Sequence, residues 1–462
     1  MTGEKGEFAF ADLEPGEYRI FASKPEYRQV PGNEIQIVKL IARAGSVRVQ
    51  LLLQKAGGIR GRVIDEDKRP VKSIRVGAWV REYESGQVRF QFRSVVTTDE
   101  QGDYFIPTLA PGTYHVGTYE PRRPLNTPPP AAGLDLPAFH PNADELSQAS
   151  PITIQGAEVR EGVDIQTRKG RRHCVEASVV GAASADVGIS VQRKWQHAGT
   201  SIADNVAFGR VAADSRFQVC SLAPGEYLLT AVEGMGLEER AFARTEFTIG
   251  KSDVSAGVLH LERAITLKLV VEEKDDERPS PRGLVTLQPS GRDSRVTETL
   301  QLRLADRGSK DLKIYPGRFR LRVDLPEDTY LISAEHDNRE VVDWFETRGG
   351  VLHLKISREA ARFTGTLRDS QGSPAGPGVV LLAPDPLPQD FRGLLSANAG
   401  SEGAISFSGV PPGKYRIVGV TGVEDARRID PEAMRAYIAA GERVELAPRA
   451  TVARDLKATS RR

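Results

Sequence analysis

The sequence predicts an all-β protein, a tandem array of small two-sheet β-sandwich modules with one short helix near the C-terminus. Three observations predict it. A strand–turn–strand cassette recurs five times, and its prolines at 15, 111, 224, 316 and 412 stand 96, 113, 92 and 96 residues apart. The 44 Gly and 29 Pro fall between short Val, Ile, Leu and Phe runs, not in one low-complexity block. A period close to one small domain marks tandem modules, and abundant turn residues between short apolar runs mark a chain of many strands.

The clearest cassette runs from Gly102 to Val116 and is centred on Leu109-Ala110-Pro111-Gly112-Thr113-Tyr114. On the way in, Tyr104 and Ile106 alternate with Asp103 and Phe105; on the way out, Tyr114 and Val116 alternate with Thr113 and His115, the period-two pattern of half-buried strands. Proline fixes φ near −65° and glycine accepts positive φ, so each Pro-Gly pair predicts a type II turn. The pairs are Pro15-Gly16, Pro111-Gly112, Pro224-Gly225, Pro316-Gly317 and Pro412-Gly413. The other copies read Phe8, Phe10, Leu13, Tyr18, Ile20; Phe217, Val219, Leu222, Tyr227, Leu229; Ile405, Phe407, Val410, Tyr415, Ile417; and, more weakly, Ile314, Phe319, Leu321.

Taken in order, residues 1–55 give only the C-terminal half of a first module, closing with the alternation Val47, Val49, Leu51, Leu53. Half a sandwich exposes an apolar face, so a missing upstream segment or a neighbour is expected to cover it. Met1 to Lys5 carries no apolar core or cleavage site, and a truncated chain or misplaced start is the expectation. The second module, 56–169, has a strand at Ile59–Asp65, a polar turn to Pro70, strands at Ile74–Tyr83 and Val88–Thr97, and further strands at Ile152–Ile154 and Val159–Thr167. Seven strands at this spacing suggest Ig-like dimensions. The Pro- and Ala-rich insertion 121–150 explains the 113-residue interval and reads as a loop over one end of the sandwich.

A third module, 170–262, opens on Arg168, Lys169, Arg171 and Arg172, read as a solvated linker. A divergent fourth, 263–360, has Ser309 and Asp311 where other copies place apolar strand residues. The fifth, 361–462, opens with Phe363–Asp369 and holds a helix at 431–440: Asp430 caps it, Pro431 fits its first position, and Gly441 its end. Met434, Tyr437 and Ile438 form one stripe, the face of a lid on the sandwich.

The strand Gly61-Arg62-Val63-Ile64-Asp65, the later Gly102-Asp103-Tyr104-Phe105 and the turn Leu109–Tyr114 together resemble the carboxypeptidase regulatory-like domain family. The resemblance spans nearly the whole chain and is strongest in the second and fifth modules. It implies a transthyretin-like, or prealbumin-like, β-sandwich, repeated in bacterial exported proteins and accessory to peptidases, receptors and surface proteins. It brings no catalytic residues to carry over.

Net charge is +1, from 63 Lys plus Arg against 62 Asp plus Glu. Such a balance provides no field to gather nucleic acid. No apolar run approaches the roughly 18 residues of a membrane helix, so no membrane span is expected. No cofactor, catalytic or metal-binding set is predicted. His173 and Glu176 match a metal spacing, but three residues apart on a strand they point to opposite faces. His260 and His353 recur at matching, outward strand positions. The acidic runs Asp65-Glu66-Asp67 and Glu272 to Glu277 read as solvated turns. Cys174 and Cys220 either form a disulfide, which export favours, or remain two free thiols.

One ligand surface stands out. In Ile74–Tyr83, Val76, Ala78 and Val80 share the core face, which leaves Trp79 and Tyr83, with Arg75 and Arg81, on the other as an aromatic platform for sugars. Trp195 alternates with Ile189 and Val191 and reads as core, while alternation does not decide Trp344. The sequence therefore predicts a non-enzymatic, extracellular or periplasmic scaffold or interaction protein of the cell envelope. The partners expected are polysaccharide or envelope proteins, and short junctions would let the array extend to on the order of 150 Å if successive modules lie end to end. The alternatives are a carbohydrate-binding protein, or the accessory part of a larger peptidase or outer-membrane receptor.

Overall fold

A computed structural model of the chain describes residues 3, 6–29, 36–41, 47–84, 86–120, 122–125, 134–183, 186–197, 200–212, 215–233, 241–273, 283–289, 300–304, 308–400 and 402–460. The fold is all-β, a tandem series of β-sandwiches. Four separate cores draw their buried residues from 59–165, 175–259, 267–354 and 361–456.

The second unit shows the plan. One sheet runs Ile152–Ile154, Gly112–Thr118, Arg75–Glu84, Gln87–Thr97, all antiparallel. The other has Gly57–Ile64 at its centre, antiparallel to Asp103–Leu109 and parallel to the short strands Val159–Arg160 and Ile165–Gln166. The predicted strand Val159–Thr167 is interrupted because the chain arches over Gly61: a β-carbon there would lie 1.9 Å from the Val163 carbonyl oxygen. Gly365 in the fifth unit stands equally close to the Arg454 oxygen. Glycine is what lets the two backbones cross.

The Pro-Gly pairs are not type II turns. Gly112 and Gly413 open extended strands, and none of the five glycines has the φ near +80° that such a turn needs. Leu109 and Gly112 belong to opposite sheets, so the cassette is a corner crossing the sandwich, and its left-handed residue lies earlier. That residue is Asp12 (φ 57°), Thr108 (φ 60°), Ser221 (φ 70°) or Gly409 (φ 65°). A tyrosine closes the corner. The hydroxyl of Tyr18 donates to the Glu14 carbonyl (2.8 Å), Tyr114 to Ala110 (2.7 Å), Tyr227 to Ala223 (2.6 Å) and Tyr415 to Pro411 (2.7 Å), each four residues back, in the manner of a tyrosine corner. The fourth cassette has Phe319 instead and makes no such bond.

In the fourth unit Leu312 and Ile314 fill the core from the strand Gly308–Ile314, while Ser309 and Asp311 face outward. The fifth unit carries the helix Pro431–Ala440, capped by the Asp430 side chain, which accepts from Glu432 N and Ala433 N. Met434, Tyr437 and Ile438 pack on Val379, Leu381, Val418 and Val420 of the sheet beneath. In the first unit Gly16–Ile20 pairs with Gln36–Leu40 and Tyr27–Gln29 with Leu53–Lys55. The strand expected over Val47–Leu53 is limited to its last residue and the two beyond.

The units do not lie end to end. The second touches the third, fourth and fifth, and the fifth reaches back to the first. The extended 150 Å array is therefore corrected to a folded-back one.

Candidate functional site

The predicted aromatic platform is buried. Trp79 is 1% exposed. Alternation assigned its face correctly, but the insertion covers that face and not the end of the sandwich: Ala138, Phe139 and Leu146 are buried there. The Trp79 ring meets Phe139 (5.7 Å between centroids), Phe92 (5.8 Å) and Tyr119 (6.2 Å). Phe139 in turn stands edge-on to Trp195 of the third unit at 4.8 Å. Gly117 permits this, since a β-carbon there would fall 2.5 Å from the Phe139 ring. Arg75 stacks on Tyr119 (4.9 Å), while Arg81 stacks on Tyr83 (5.3 Å) and donates to its hydroxyl. With Trp79 covered, the half-buried Tyr83, Arg75 and Arg81 do not join it in one exposed aromatic platform. Trp195, read as core, is buried; its Nε1 donates to Asp204 at 2.9 Å, and the Arg193 guanidinium covers its ring at 3.8 Å.

The basic junction is not a solvated linker at Arg172. That side chain is 9% exposed, ion-paired with Glu120, and donates to the carbonyls of Ser221 (3.1 Å) and Asp135 (2.8 Å). Arg168 and Lys169 reach Asp144 and Asp135. The acidic turn at Asp65 is likewise structural: Asp65 is 5% exposed and its Oδ1 accepts from Asp67 N and Arg69 N, both at 2.9 Å. Of Glu272 to Glu277, residues 274–277 lie outside the described residues.

Cys174 and Cys220 are joined, S–S 2.08 Å, tying the strand His173–Val180 to Arg216–Leu222. His173 faces Asp253 (3.4 Å) while Glu176 accepts from Gln218 (3.2 Å). His260 is exposed, and His353 faces Glu272 at 3.6 Å. Among the described residues no group of three His, Cys, Asp or Glu is placed to hold a metal ion.

Two clusters hold the array folded back, and sequence reading missed both. In the first, Glu424 pairs with Arg28 and accepts from Gln54 Nε2 (3.1 Å). Beside it Arg427 reaches Glu82 (3.3 Å), to which Arg93 also donates (2.5 Å), and Arg428 donates to the Pro111 carbonyl (2.6 Å). Burial alone would raise the Asp425 carboxyl, but hydrogen bonds from Arg427 outweigh it and hold it below the usual carboxylate range. In the second cluster Glu84 pairs with Arg320, which also meets Asp343 at 3.4 Å. The Trp344 ring lies among the guanidiniums of Arg89 (5.8 Å), Arg318 (5.6 Å) and Arg320 (5.5 Å). A cleft of about 410 Å³ opens here between the second, fourth and fifth units. Arg89, Arg320 and Arg392 in its wall all face carboxylates. No sequence periodicity marks these residues, because their partners lie up to 396 positions away.

No family model matches the chain, and no curated protein matches it. Among solved structures it is similar to the Bacillus anthracis TIE protein, at 12% identity over 73% of this chain and 66% of that one, TM-score 0.17. A Streptococcal ancillary pilin follows at 11% identity over 65% and 98%, TM-score 0.21. BcpA, the major pilin subunit of Bacillus cereus, matches at 11% identity over 66% and 100%, TM-score 0.17. Likeness at these scores carries no argument about function. No helix among the described residues is long and apolar enough to cross a membrane.

Proposed function

We propose that this chain is a non-catalytic scaffold or interaction protein of the cell envelope, exported and built of modules at 1–55, 56–169, 170–262, 263–360 and 361–462. The observation that carries the reading is the use made of residues a ligand site would need. Trp79, Trp195, Arg172, Arg320, Glu82 and Glu424 all hold one module against another. The disulfide suits an oxidising compartment, and the resemblance to carboxypeptidase regulatory-like domains points to the same accessory role. Its partners are other envelope proteins.

The test is fractionation of the native source cells with thiol trapping. The expected result is protein in the envelope or medium whose Cys174 and Cys220 take a maleimide label only after reduction. Cytosolic protein carrying both labels without reductant overturns the proposal.

A further inference from the structure

Two strands beyond the cassette corner, each complete sandwich has an outermost long strand: Gln87–Thr97 in the second unit, Thr200–Val211 in the third, Leu300–Leu304 in the fourth and Leu395–Ala399 in the fifth. Such an edge offers unpaired N–H and C=O groups to another chain, and native proteins blunt it with charge, proline, a bulge or a cover. The second unit's edge carries Arg89, Arg93 and a bulge. The third's is covered. Arg123–Pro124, from the insertion, pairs parallel with Ala207–Phe208, and Leu125 N donates to the Phe208 carbonyl at 3.0 Å. The Leu125 side chain packs on the third core, in space that Gly209 leaves free: a β-carbon there would stand 2.6 Å from the leucine Cγ.

Leu395–Ala399 has none of these defences. It reads Leu-Ser-Ala-Asn-Ala, without charge or proline, and its register with Gly378–Pro384 is unbroken. Its outer edge has no strand partner among the described residues. Leu395, Ala397 and Ala399 face the core, while Ser396 and Asn398 are exposed. Beside Ser396 opens a cavity of about 190 Å³ lined by Tyr83, Phe391, Leu394, Ile429, Pro431 and Met434. The charged groups at its rim, Glu84, Arg320 and Arg427, are already ion-paired, so the cavity selects an uncharged guest. Phe391 forms one wall at φ 58°, a conformation a bulky residue keeps only where its surroundings hold it. Gly86 keeps the facing wall clear, since a β-carbon there would meet the Phe391 ring at 3.3 Å.

We propose that Leu395–Ala399 is a docking edge for an extended segment of a partner protein, which adds to the sheet as a further strand and sets one large apolar side chain in the cavity beside Ser396. The occupant is argued from the chain itself: the equivalent edge of the third unit already holds an extended polypeptide segment anchored by a leucine. Main-chain hydrogen bonds supply the binding, and the cavity supplies the choice of side chain. Side chains of an added strand point alternately to the two faces of the sheet, so the recognised segment carries one leucine, isoleucine, methionine or phenylalanine among uncharged neighbours. A sugar fits less well, because the rings lining the cavity, Phe391 and Tyr83, each have a guanidinium over them, Arg435 at 4.4 Å and Arg81 at 5.3 Å. The site deepens the scaffold reading, on which the choice of an envelope protein as partner rests.

A displayed library of random short peptides, selected on the full chain, tests the proposal. The expected binders share one large apolar residue in an uncharged stretch and slow amide exchange in 395–399 at least about tenfold. They bind Ser396→Arg at least about tenfold more weakly. Ser396 is exposed, so the new charge blunts the edge and the cavity without entering the core. Ser406→Arg, an equally exposed change on the strand Ala404–Val410 of the same unit, leaves binding unchanged. No enriched binder, binders indifferent to Ser396→Arg, binders lost equally in Ser406→Arg, or protection elsewhere than 395–399 overturns it. Retention on immobilised amylose that Ser396→Arg abolishes would make the edge a sugar site and also overturns it. A cytosolic protein with the expected binders refutes the envelope reading alone, and an envelope protein without them refutes the docking edge alone.

Discussion

Replacing Gly61 by alanine tests the crossing of strands that defines the second sandwich. The added β-carbon would sit 1.9 Å from the Val163 oxygen and 2.4 Å from its carbon, both backbone atoms. The arch must retreat about 1.5 Å to reach ordinary van der Waals separation. Retreat breaks the bonds from Val163 N to the Arg60 carbonyl (3.1 Å), from Arg62 N to Asp164 Oδ1 (2.9 Å) and from the Tyr104 hydroxyl to the Val163 carbonyl (2.5 Å). Each is worth about 1 kcal/mol net, and the one to a carboxylate somewhat more, so the local cost is about 3–5 kcal/mol. Gly156→Ala is the control: no atom lies within 4 Å of its β-carbon, and the change should stay within about 0.5 kcal/mol. Hydrogen exchange of the full chain, read by mass spectrometry on 57–64 and 159–166, should show protection lost by about two to four orders of magnitude in Gly61→Ala. Protection equal to that of Gly156→Ala refutes the crossing, and an equal loss over 361–368 refutes its confinement to one unit.

Burial pushes the Tyr415 hydroxyl up to about 12, and burial also raises Tyr114. A raised folded-state value means that these phenols stabilise fully below pH 10 and lose that contribution as pH rises from 10 toward 12. Urea midpoints should therefore fall across that window, and less steeply in Tyr415→Phe; an identical pH slope in the variant would contradict the burial of the Tyr415 hydroxyl. Removing the acids of the first cluster, Glu82→Ala with Glu424→Ala, should release the fifth unit. The radius of gyration should rise toward the roughly 43 Å of a 150 Å rod, while a globule of this length would give about 23 Å. Unchanged small-angle scattering would show that other contacts hold the array.

The repeat, the strands and the helix were legible because period-two alternation and capping are local. Tyr18, Tyr114, Tyr227 and Tyr415 each stand three residues after the cassette proline, and that fixed spacing is the local signal of the corner. A type II turn was the wrong inference because Pro-Gly chemistry suits several connections, and only sheet membership tells a hairpin from a crossing. Trp79 failed for a related reason. Alternation decides which side of a strand a residue faces, not what covers that side, and the cover came from Phe139 and Leu146, some sixty residues on. The Glu424 and Arg320 clusters left no trace in the sequence, since a charge on a strand looks the same whether water or another module meets it.

The chemistry of the junctions differs in a way that bears on how the scaffold behaves. The second and third units meet through Trp79, Phe139 and Trp195, closed aromatic packing, and the third and fourth through Phe242 and Tyr315 at 4.7 Å. These contacts join neighbours in sequence and hold by burial. The fold-back contacts, second to fourth and fifth and fifth to first, depend mainly on guanidinium–carboxylate pairs. Several of these side chains are largely withdrawn from water, among them Arg28, Glu82 and Glu424. Desolvation offsets much of the attraction of such pairs, but stranding one partner is costly. The two kinds of junction therefore respond to different stresses. Losing an acid opens the fold-back and leaves the sequential chain of modules joined, whereas losing an aromatic loosens the chain itself. Between units joined by polar contacts of this kind, relative motion is the default wherever the ion pairs are absent. The fifth unit, held back onto the first and second by polar contacts, is the part such a change would free first.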